Sequence, residues 1–417
     1  MAETRGAPGE RIVVTGLGAV TPLALRLDET WRRLLAGESG IAPVTSFDAS
    51  RFPSRLGAEV HGFDPQPHLR RHRPEELGRA SQLAVAAARQ AIADAGVADD
   101  LDSGRLPAER VGVAMGTTSG EPREVEELDD LWLAGELERL GPGFLRRYPC
   151  HGIASAVAAE LGAGGPVVLL PTACAAGNYA VARAFDTLRR GRADLVVAGG
   201  ADAFSRITYT GFARLGAIAP ERCQPFDKNR KGMVPGEGAA ALVLETLAHA
   251  RARGARVLAE VAGYGLSCDA HHMTAAHPEG DGPARAMEAA LAAARLAPEA
   301  IGYVSAHGTG TPTNDKLETL AVHRVFGERG RRVPVSSIKS MLGHTMGAAS
   351  AIEAAVCCLV VAEGRIPPTT GYEEPDPACD LDVVPNAMRE TPVAAAMNNA
   401  YAFGGNNAAV IFRRVDA

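Results

Sequence analysis

An α/β fold built on a repeated plan is predicted for this 417-residue chain, and three observations predict it. Short runs rich in Val, Ile and Leu alternate with Ala-rich helical stretches along its whole length. The runs are apolar at successive positions rather than at every second one, the pattern of strands covered on both faces. Two distant segments, at Pro171 to Cys174 and at Lys339 to His344, each lead from a strand through a tight turn into a helix of small residues.

Taken in order, strands are expected over 12–14, 111–115, 167–170, 195–198 and 242–244, with helices over 80–95 and 175–190 between them. A second series follows, with strands over 258–262, 301–305, 333–338, 393–397 and 408–412 and helices over 283–295 and 348–362. Several helices carry Ala on every side, which places them between layers rather than on the surface. The charged, Leu-rich stretch 121–147 reads as a helical insertion near the surface or as a subunit contact. The division is expected near Arg253-Gly254-Ala255, giving halves over 11–254 and 255–413. No long linker parts them, so the reactive turns are expected to face one site between the halves.

Composition narrows the function. With 46% hydrophobic residues, 46 Gly and 5% aromatics, the chain suits close-packed layers of helix and sheet. Its net charge of −6 gives no global field for nucleic acid or an anionic membrane. Seven cysteines without a Cys-x-x-Cys pair indicate neither a disulfide framework nor a structural zinc site, and fit a reducing cytoplasm. Residues 1–10 are polar, without the apolar core of a signal peptide, and read as a frayed leader. The longest apolar run, over 354–362, falls short of the ~18 residues that span a bilayer.

Four places carry candidate chemistry. Cys174, in Pro-Thr-Ala-Cys-Ala-Ala-Gly-Asn, opens a helix, where free N–H groups and the macrodipole favour a thiolate and lower the thiol from its usual ~8.5. Taken alone it also fits a small buried apolar residue, the commoner fate of a free cysteine. His307 follows a strand in Ala-His-Gly-Thr-Gly-Thr-Pro, a turn whose glycines admit a ligand, although a histidine bonded to its own loop also fits. His344 precedes an Ala-rich helix with no room for a large polar group, so its imidazole is expected to face the site. Lys339 and Glu353 flank it, costly in an apolar segment unless paired, and ordinary solvent-facing helix ends otherwise. Phe403 lies in Phe-Gly-Gly-Asn-Asn-Ala, where glycines let a backbone N–H approach a ligand while the ring guards an entrance; core packing is the alternative.

The combination is more specific than its parts. Thr-Ala-Cys-Ala-Ala-Gly, Ala-His-Gly-Thr-Gly-Thr-Pro-Thr-Asn-Asp, Lys-Ser-Met-Leu-Gly-His-Thr-Met-Gly-Ala-Ala and Phe-Gly-Gly-Asn-Asn-Ala, in that order, resemble the β-ketoacyl synthases. The resemblance runs over 14–412 and is closest to the elongating, two-histidine type of fatty-acid and polyketide synthesis. It implies a thiolase-like fold, a duplicated five-layer α/β/α/β/α sandwich, and a decarboxylative Claisen condensation giving a 3-oxoacyl-carrier protein. It further implies that Cys174 takes the acyl chain, that the N–H groups of Cys174 and Phe403 form the oxyanion hole, and that His307 and His344 hold the malonyl thioester carbonyl and its enolate. Lys339 and Glu353 are then expected to order the histidines, and Thr309 and Thr311 to bond a phosphopantetheine arm. No bound cofactor and no metal are implied, since substrates travel on the phosphopantetheine of an acyl carrier protein. The expected assembly is a homodimer or a heterodimer with a chain-length-factor-like subunit.

Some positions depart from the family's pattern. Arg230-Lys231-Gly232-Met233 stands where Arg-Asp-Gly-Phe is frequent. Arg70, Arg71 and Arg73 form a basic cluster that could receive an acidic carrier, with Arg70 and Arg71 the expected docking pair, yet Glu75 and Glu76 follow where basic residues are common. Phe204, Tyr209 and Phe212 are expected to shape the acyl pocket, and the stretch 171–179 leans towards polyketide or specialised lipid assembly. Three rivals are weaker. The Gly16-Leu17-Gly18 run lacks the third glycine of a dinucleotide fingerprint, Thr21 standing there. A degradative thiolase would carry a late cysteine where Phe403 stands, and a non-catalytic chain-length-factor-like subunit would lack the nucleophile.

Overall fold

The computed structural model describes residues 10–415; the expected leader over 1–10 falls, but for Glu10, outside them. The first half contributes β1 (Ile12–Val20), β2 (Val111–Gly116), β3 (Val167–Leu170), β4 (Leu195–Asp202) and β5 (Gly238–Thr246). The second contributes β6 (Ala259–Cys268), β7 (Tyr303–Ser305), β8 (Val335–Ser336), β9 (Ala395–Tyr401) and β10 (Asn406–Arg413). Across the sheet they run β8-β7-β9-β10-β6-β1-β5-β4-β2-β3. From either edge inwards the order is therefore the same: third, second, fourth, fifth, first. The strand directions repeat too. The two first strands meet at the centre, Ile12 opposite Val261 and Val14 opposite Ala259, and join the two sheets into one ten-stranded ribbon.

The principal helices are α1 (Arg79–Asp94), α2 (Pro122–Ala134), α3 (Gly152–Leu161), α4 (Ala176–Arg189), α5 (Arg206–Arg214), α6 (Asp281–Ala294), α7 (Pro312–Phe326) and α8 (Ala349–Glu363). Helices α4 and α8 pack on each other and touch strands of both halves, α1 and α3 cover the first half from outside, and α6 and α7 cover the second. That is the five-layer thiolase-like sandwich. Its centre explains α8: Met346–Glu363 is long and apolar enough by composition to cross a membrane, yet most of it is buried, because it is a core layer with sheet on both sides.

The Gly16-Leu17-Gly18 run now has a packing reason. A Cβ at Gly16 or Gly18 would stand 2.2 Å from the carbonyl oxygen of Ala91 or Ala87 in α1. The second half repeats the device, since a Cβ at Gly265 would stand 2.0 Å from the Ala286 oxygen in α6. With Gly263, whose Cβ would stand 2.5 Å from the Ala294 nitrogen, Gly265 forms a second pair, and both pairs let an outer helix lie directly on its strand.

Most of the expected strands differ in length from those observed, two of them in the second half markedly. The run over 333–338 pairs only at Val335–Ser336, because Ser337 turns away: its N–H donates to Thr369 and its hydroxyl to the Gly308 carbonyl. The run over 258–262 continues instead to Cys268 along β10. Within 121–147, α2 is helical as expected, and Glu121 before it accepts the N–H groups of Ala80 and Ser81 at the start of α1.

One buried carboxylate ties the first half together and predicts acid sensitivity. Burial alone would raise Glu245; hydrogen bonds from Arg253, His249 and Thr15 outweigh it and hold the group at about 2, against 4.5 for a free carboxyl. A depressed carboxyl contributes stability that is complete above pH 4.5 and lost as pH falls towards 2, here about 3 kcal/mol. Urea unfolding of Glu245→Gln is expected to show lower stability than wild type at pH 7, with the gap closing below pH 3; a gap that does not change with pH would refute this linkage.

Candidate active site

Strand β3 leads through Pro171-Thr172 into the turn Ala173–Ala175, which runs directly into α4. Ala173 adopts φ 50°, a left-handed conformation costly for a residue with a Cβ, and the bend sets Cys174 at the bottom of a cleft. The same turn recurs in the second half, where Met346 has φ 55° just before α8. There the position after the left-handed residue is Gly347, so the duplicated plan carries one nucleophile rather than two.

The protonation of Cys174 corrects the expectation drawn from its helix. Burial pushes the thiol up to about 12, and the opposing charge of Lys339 and the residue's own backbone N–H do not overcome it. The resting residue is a neutral thiol. Desolvating a thiolate costs more than the first turn of one helix returns.

His307 and His344 face each other beside it, ring centroids 5.5 Å apart and nearly perpendicular. Reactive atoms of Cys174 and the two histidines all lie within 4.8 Å of one another. Burial, then the Lys339 charge, lowers both imidazoles well below 6.5, and each imidazole is neutral at pH 7. The Met346 N–H donates to His344 Nδ1 at 3.1 Å, which leaves the ring proton on Nε2. The three groups have the chemistry of a metal-ligand set, but this tautomer makes His344 a donor towards the cleft, and the nearby ammonium opposes a cation.

Lys339 and Glu353 form an ion pair with side chains 1% and 2% exposed. Solvent-facing helix ends are thereby excluded. Burial raises Glu353 to about 7 against the pull of Lys339, and its second oxygen has no partner among the described residues.

Three acidic residues that sequence reasoning missed position these groups. Glu318 accepts the N–H groups of His307 at 2.8 Å and Gly308 at 2.7 Å, and burial raises it to about 8. Asp315 accepts from Phe226 at 2.7 Å and from Gly310 at 3.2 Å, locking the histidine turn to the loop before Arg230. Asp202, at the end of β4, accepts from the Thr117 hydroxyl and from the N–H groups of Thr118, Ser119 and Gly347. A signal existed for two of them: Asp315 and Glu318, three apart, fall on the face of α7 turned to the core. Nothing local marks Asp202.

One cavity of about 230 Å³ opens over the cluster. Cys174, His307 and His344 form its floor, and Thr309, Thr311 and Phe403 line its walls. The two threonine hydroxyls lie 2.9 Å apart. Phe403 is partly exposed at the mouth, its ring 5.9 Å from Phe212, and Gly404 beside it donates to the Met273 carbonyl. Of the three aromatics expected to shape the pocket, only Phe212 lines it. Phe204 and Tyr209 belong to a separate cluster with Phe47 and Phe52, Tyr209 donating to the carbonyls of Ser54 and Leu56. Of the expected docking pair, Arg70 is bound to Asp102 at 2.8 Å, while Arg71 is exposed with no ion pair among the described residues.

A thiol nucleophile, two neutral imidazole donors and a buried ion pair at the floor of one cleft in a thiolase-like sandwich define a condensing-enzyme site. The models of the β-ketoacyl synthase N-terminal and C-terminal domains match residues 9–250 and 258–373, and the chain belongs to the β-ketoacyl synthase family. It is 40% identical over 412 residues to 3-oxoacyl-[acyl-carrier-protein] synthase 2 of Synechocystis sp., covering 97% of this chain and 98% of that one. Among solved structures it is similar to the ishigamide ketosynthase/chain length factor, with TM-score 0.93, 43% identity and coverage of 98% and 100% of the two chains. It is also similar to the ketosynthase complex AntDE:AntF, a type II polyketide synthase acyl carrier protein with its ketosynthase bound to the hexaketide. There the TM-score is 0.89 at 32% identity, covering 97% and 100% of the two chains.

Proposed function

We propose that the chain is a 3-oxoacyl-carrier-protein synthase, joining an acyl group held on Cys174 to a malonyl unit in polyketide or fatty-acid assembly. The convergence of Cys174, His307 and His344 on one cleft carries this reading. Cys174 Sγ attacks the acyl thioester carbonyl, the bond to the pantetheine sulfur breaks, and the thiol proton leaves with that sulfur. Because the resting thiol is neutral, proton loss accompanies attack. The N–H groups of Cys174 and Phe403 hold the developing oxyanion.

Malonyl thioester then replaces the released carrier, its arm bonded by Thr309 and Thr311. Loss of carbon dioxide leaves an enolate, whose oxygen is held by the ring N–H groups of His307 and His344. Neutral donors suit this step, since they stabilise charge appearing in the transition state and need no proton from solution. The enolate carbon attacks the acyl carbonyl, the bond to Cys174 breaks, and the thiolate takes up a proton. Burial, reinforced by the charge of Lys339, keeps both imidazoles neutral. No bound cofactor is needed, since both substrates arrive on the phosphopantetheine of an acyl carrier protein.

The working unit is a dimer, with a second copy or with a chain-length-factor-like subunit. Edge strand β3 exposes Val167, and α2 exposes Trp132 at 67% and Leu133 at 85%, an open sheet edge and apolar side chains of the kind that association covers. Seven free cysteines support a reducing compartment, the cytoplasm. The test is intact-protein mass spectrometry after incubation with a panel of acyl-carrier thioesters. A mass gain equal to one acyl group is expected, its chain-length preference reporting the pocket, whereas no gain from any donor would oppose catalysis by this chain.

A further inference from the structure

His344 has a visible reason to present its Nε2 proton to the cleft, since the Met346 N–H donates to Nδ1 at 3.1 Å. His307 has no backbone donor of that kind. Its main chain is held, the N–H groups of His307 and Gly308 donating to Glu318, but its Nδ1 is buried without a hydrogen-bond partner among the described residues. The ring is neutral, because burial and then the Lys339 charge lower it well below 6.5. A neutral imidazole has one donor and one acceptor nitrogen, and the bond made by one fixes the role of the other. To aim Nε2–H at an enolate oxygen, Nδ1 must accept.

A side chain beside the ring is equipped to donate. Tyr401 closes β9, opposite Asn407 of β10, and lines the cavity together with His307. Its ring centre lies 5.7 Å from that of His307, the planes inclined at 63°. The hydroxyl of Tyr401, like His307 Nδ1, is buried without a partner among the described residues. Burial, then the charge of Glu318, raises the phenol well above its usual 10, so it keeps its proton. The Lys339 ammonium, whose charge His307 feels, is engaged by Glu353. Two buried polar groups left apart each carry a desolvation cost that one shared hydrogen bond removes.

We propose that the Tyr401 hydroxyl donates to His307 Nδ1, directly after a small rotation of either side chain or through one water, and so holds the Nε2 proton towards the cleft. The inference rests on the condensing function above and makes Tyr401 a positioning residue, its hydroxyl acting through His307. Phenylalanine would fill the same space without the donor, so the two aromatic residues are not equivalent at this position.

The experiment compares wild type, Tyr401→Phe, His307→Ala and the double variant. Tyr401→Phe is expected to lower kcat for condensation with malonyl-carrier protein about 10-fold, a part of the ~100-fold that follows loss of a whole donor. The KM for malonyl-carrier protein and the rate of Cys174 acylation are expected to stay close to wild type. In the His307→Ala background the same exchange is expected to cost nothing further. Two-bond proton–nitrogen correlation spectra of histidine-labelled protein read the tautomer directly: His307 is expected to carry its proton on Nε2 in wild type and to populate both tautomers in Tyr401→Phe. A wild-type condensation rate and an unchanged His307 signal in Tyr401→Phe would overturn the proposal and leave Lys339 to set the ring. An equal loss from Tyr401→Phe with and without the His307 side chain would overturn it too, marking a packing role. Should wild type form no product from any carrier substrate, the condensing reading fails. The His307 signal still decides the contact in that case: a change on Tyr401→Phe supports it, and an unchanged signal refutes it.

Discussion

Replacement of Cys174 by Ala is expected to abolish acyl loading and to cut condensation by at least ~10⁴-fold, the scale of losing a covalent nucleophile. The fold should persist, because the exchange removes one sulfur from a site walled by Ala175 and Ala176 and leaves the Lys339–Glu353 pair intact. A stability change within about 1 kcal/mol is expected in urea unfolding. Single-turnover transfer of radiolabelled acyl groups gives the kinetic answer. Residual transfer within tenfold of wild type, in a folded variant, would remove Cys174 from the mechanism.

His344→Ala is expected to separate the two half-reactions. Acylation of Cys174 needs the thiol and the oxyanion donors and should remain measurable, whereas condensation should slow by at least ~100-fold, the loss typical of one donor to a developing oxyanion. The reason lies in the Met346 N–H, which occupies Nδ1 and so presents the Nε2 proton to the cleft. Rapid-quench measurement of acyl-enzyme formation and of product from malonyl-carrier protein would distinguish the steps. Equal losses in both would make His344 a structural support of Cys174 instead, and an unchanged condensation rate would exclude it altogether.

Fold and reactive residues were legible in the sequence because their signals are local. Apolar runs over 111–115 and 195–198 report strands covered on both faces, and the Ala-rich stretch over 348–362 reports a helix between layers. The motifs around Cys174, His307, His344 and Phe403 lie at strand ends, where turn residues and the reactive group are contiguous. Even the duplicated plan could be read, since each half repeats a strand, a tight turn and a small-residue helix.

What depended on residues far apart in the chain was settled only by folding. The thiol of Cys174 is neutral because layers from both halves desolvate it, an effect opposite to that of its own helix. Asp202 orders the site by reaching Gly347, and Phe204 leaves the pocket because Phe47 and Phe52 give it an aromatic cluster elsewhere. Arg70 and Lys231 look alike as charges in sequence, yet one is neutralised by Asp102 and the other is exposed with no ion pair among the described residues. The sequence by itself determined the α/β class, since periodicity is a property of neighbouring residues, and its contiguous motifs carried the resemblance that implied the thiolase-like fold and marked Cys174, His307 and His344 as candidates. The tertiary structure decided protonation, tautomer and free charge, because desolvation and pairing depend on which distant groups packing brings within a few ångströms.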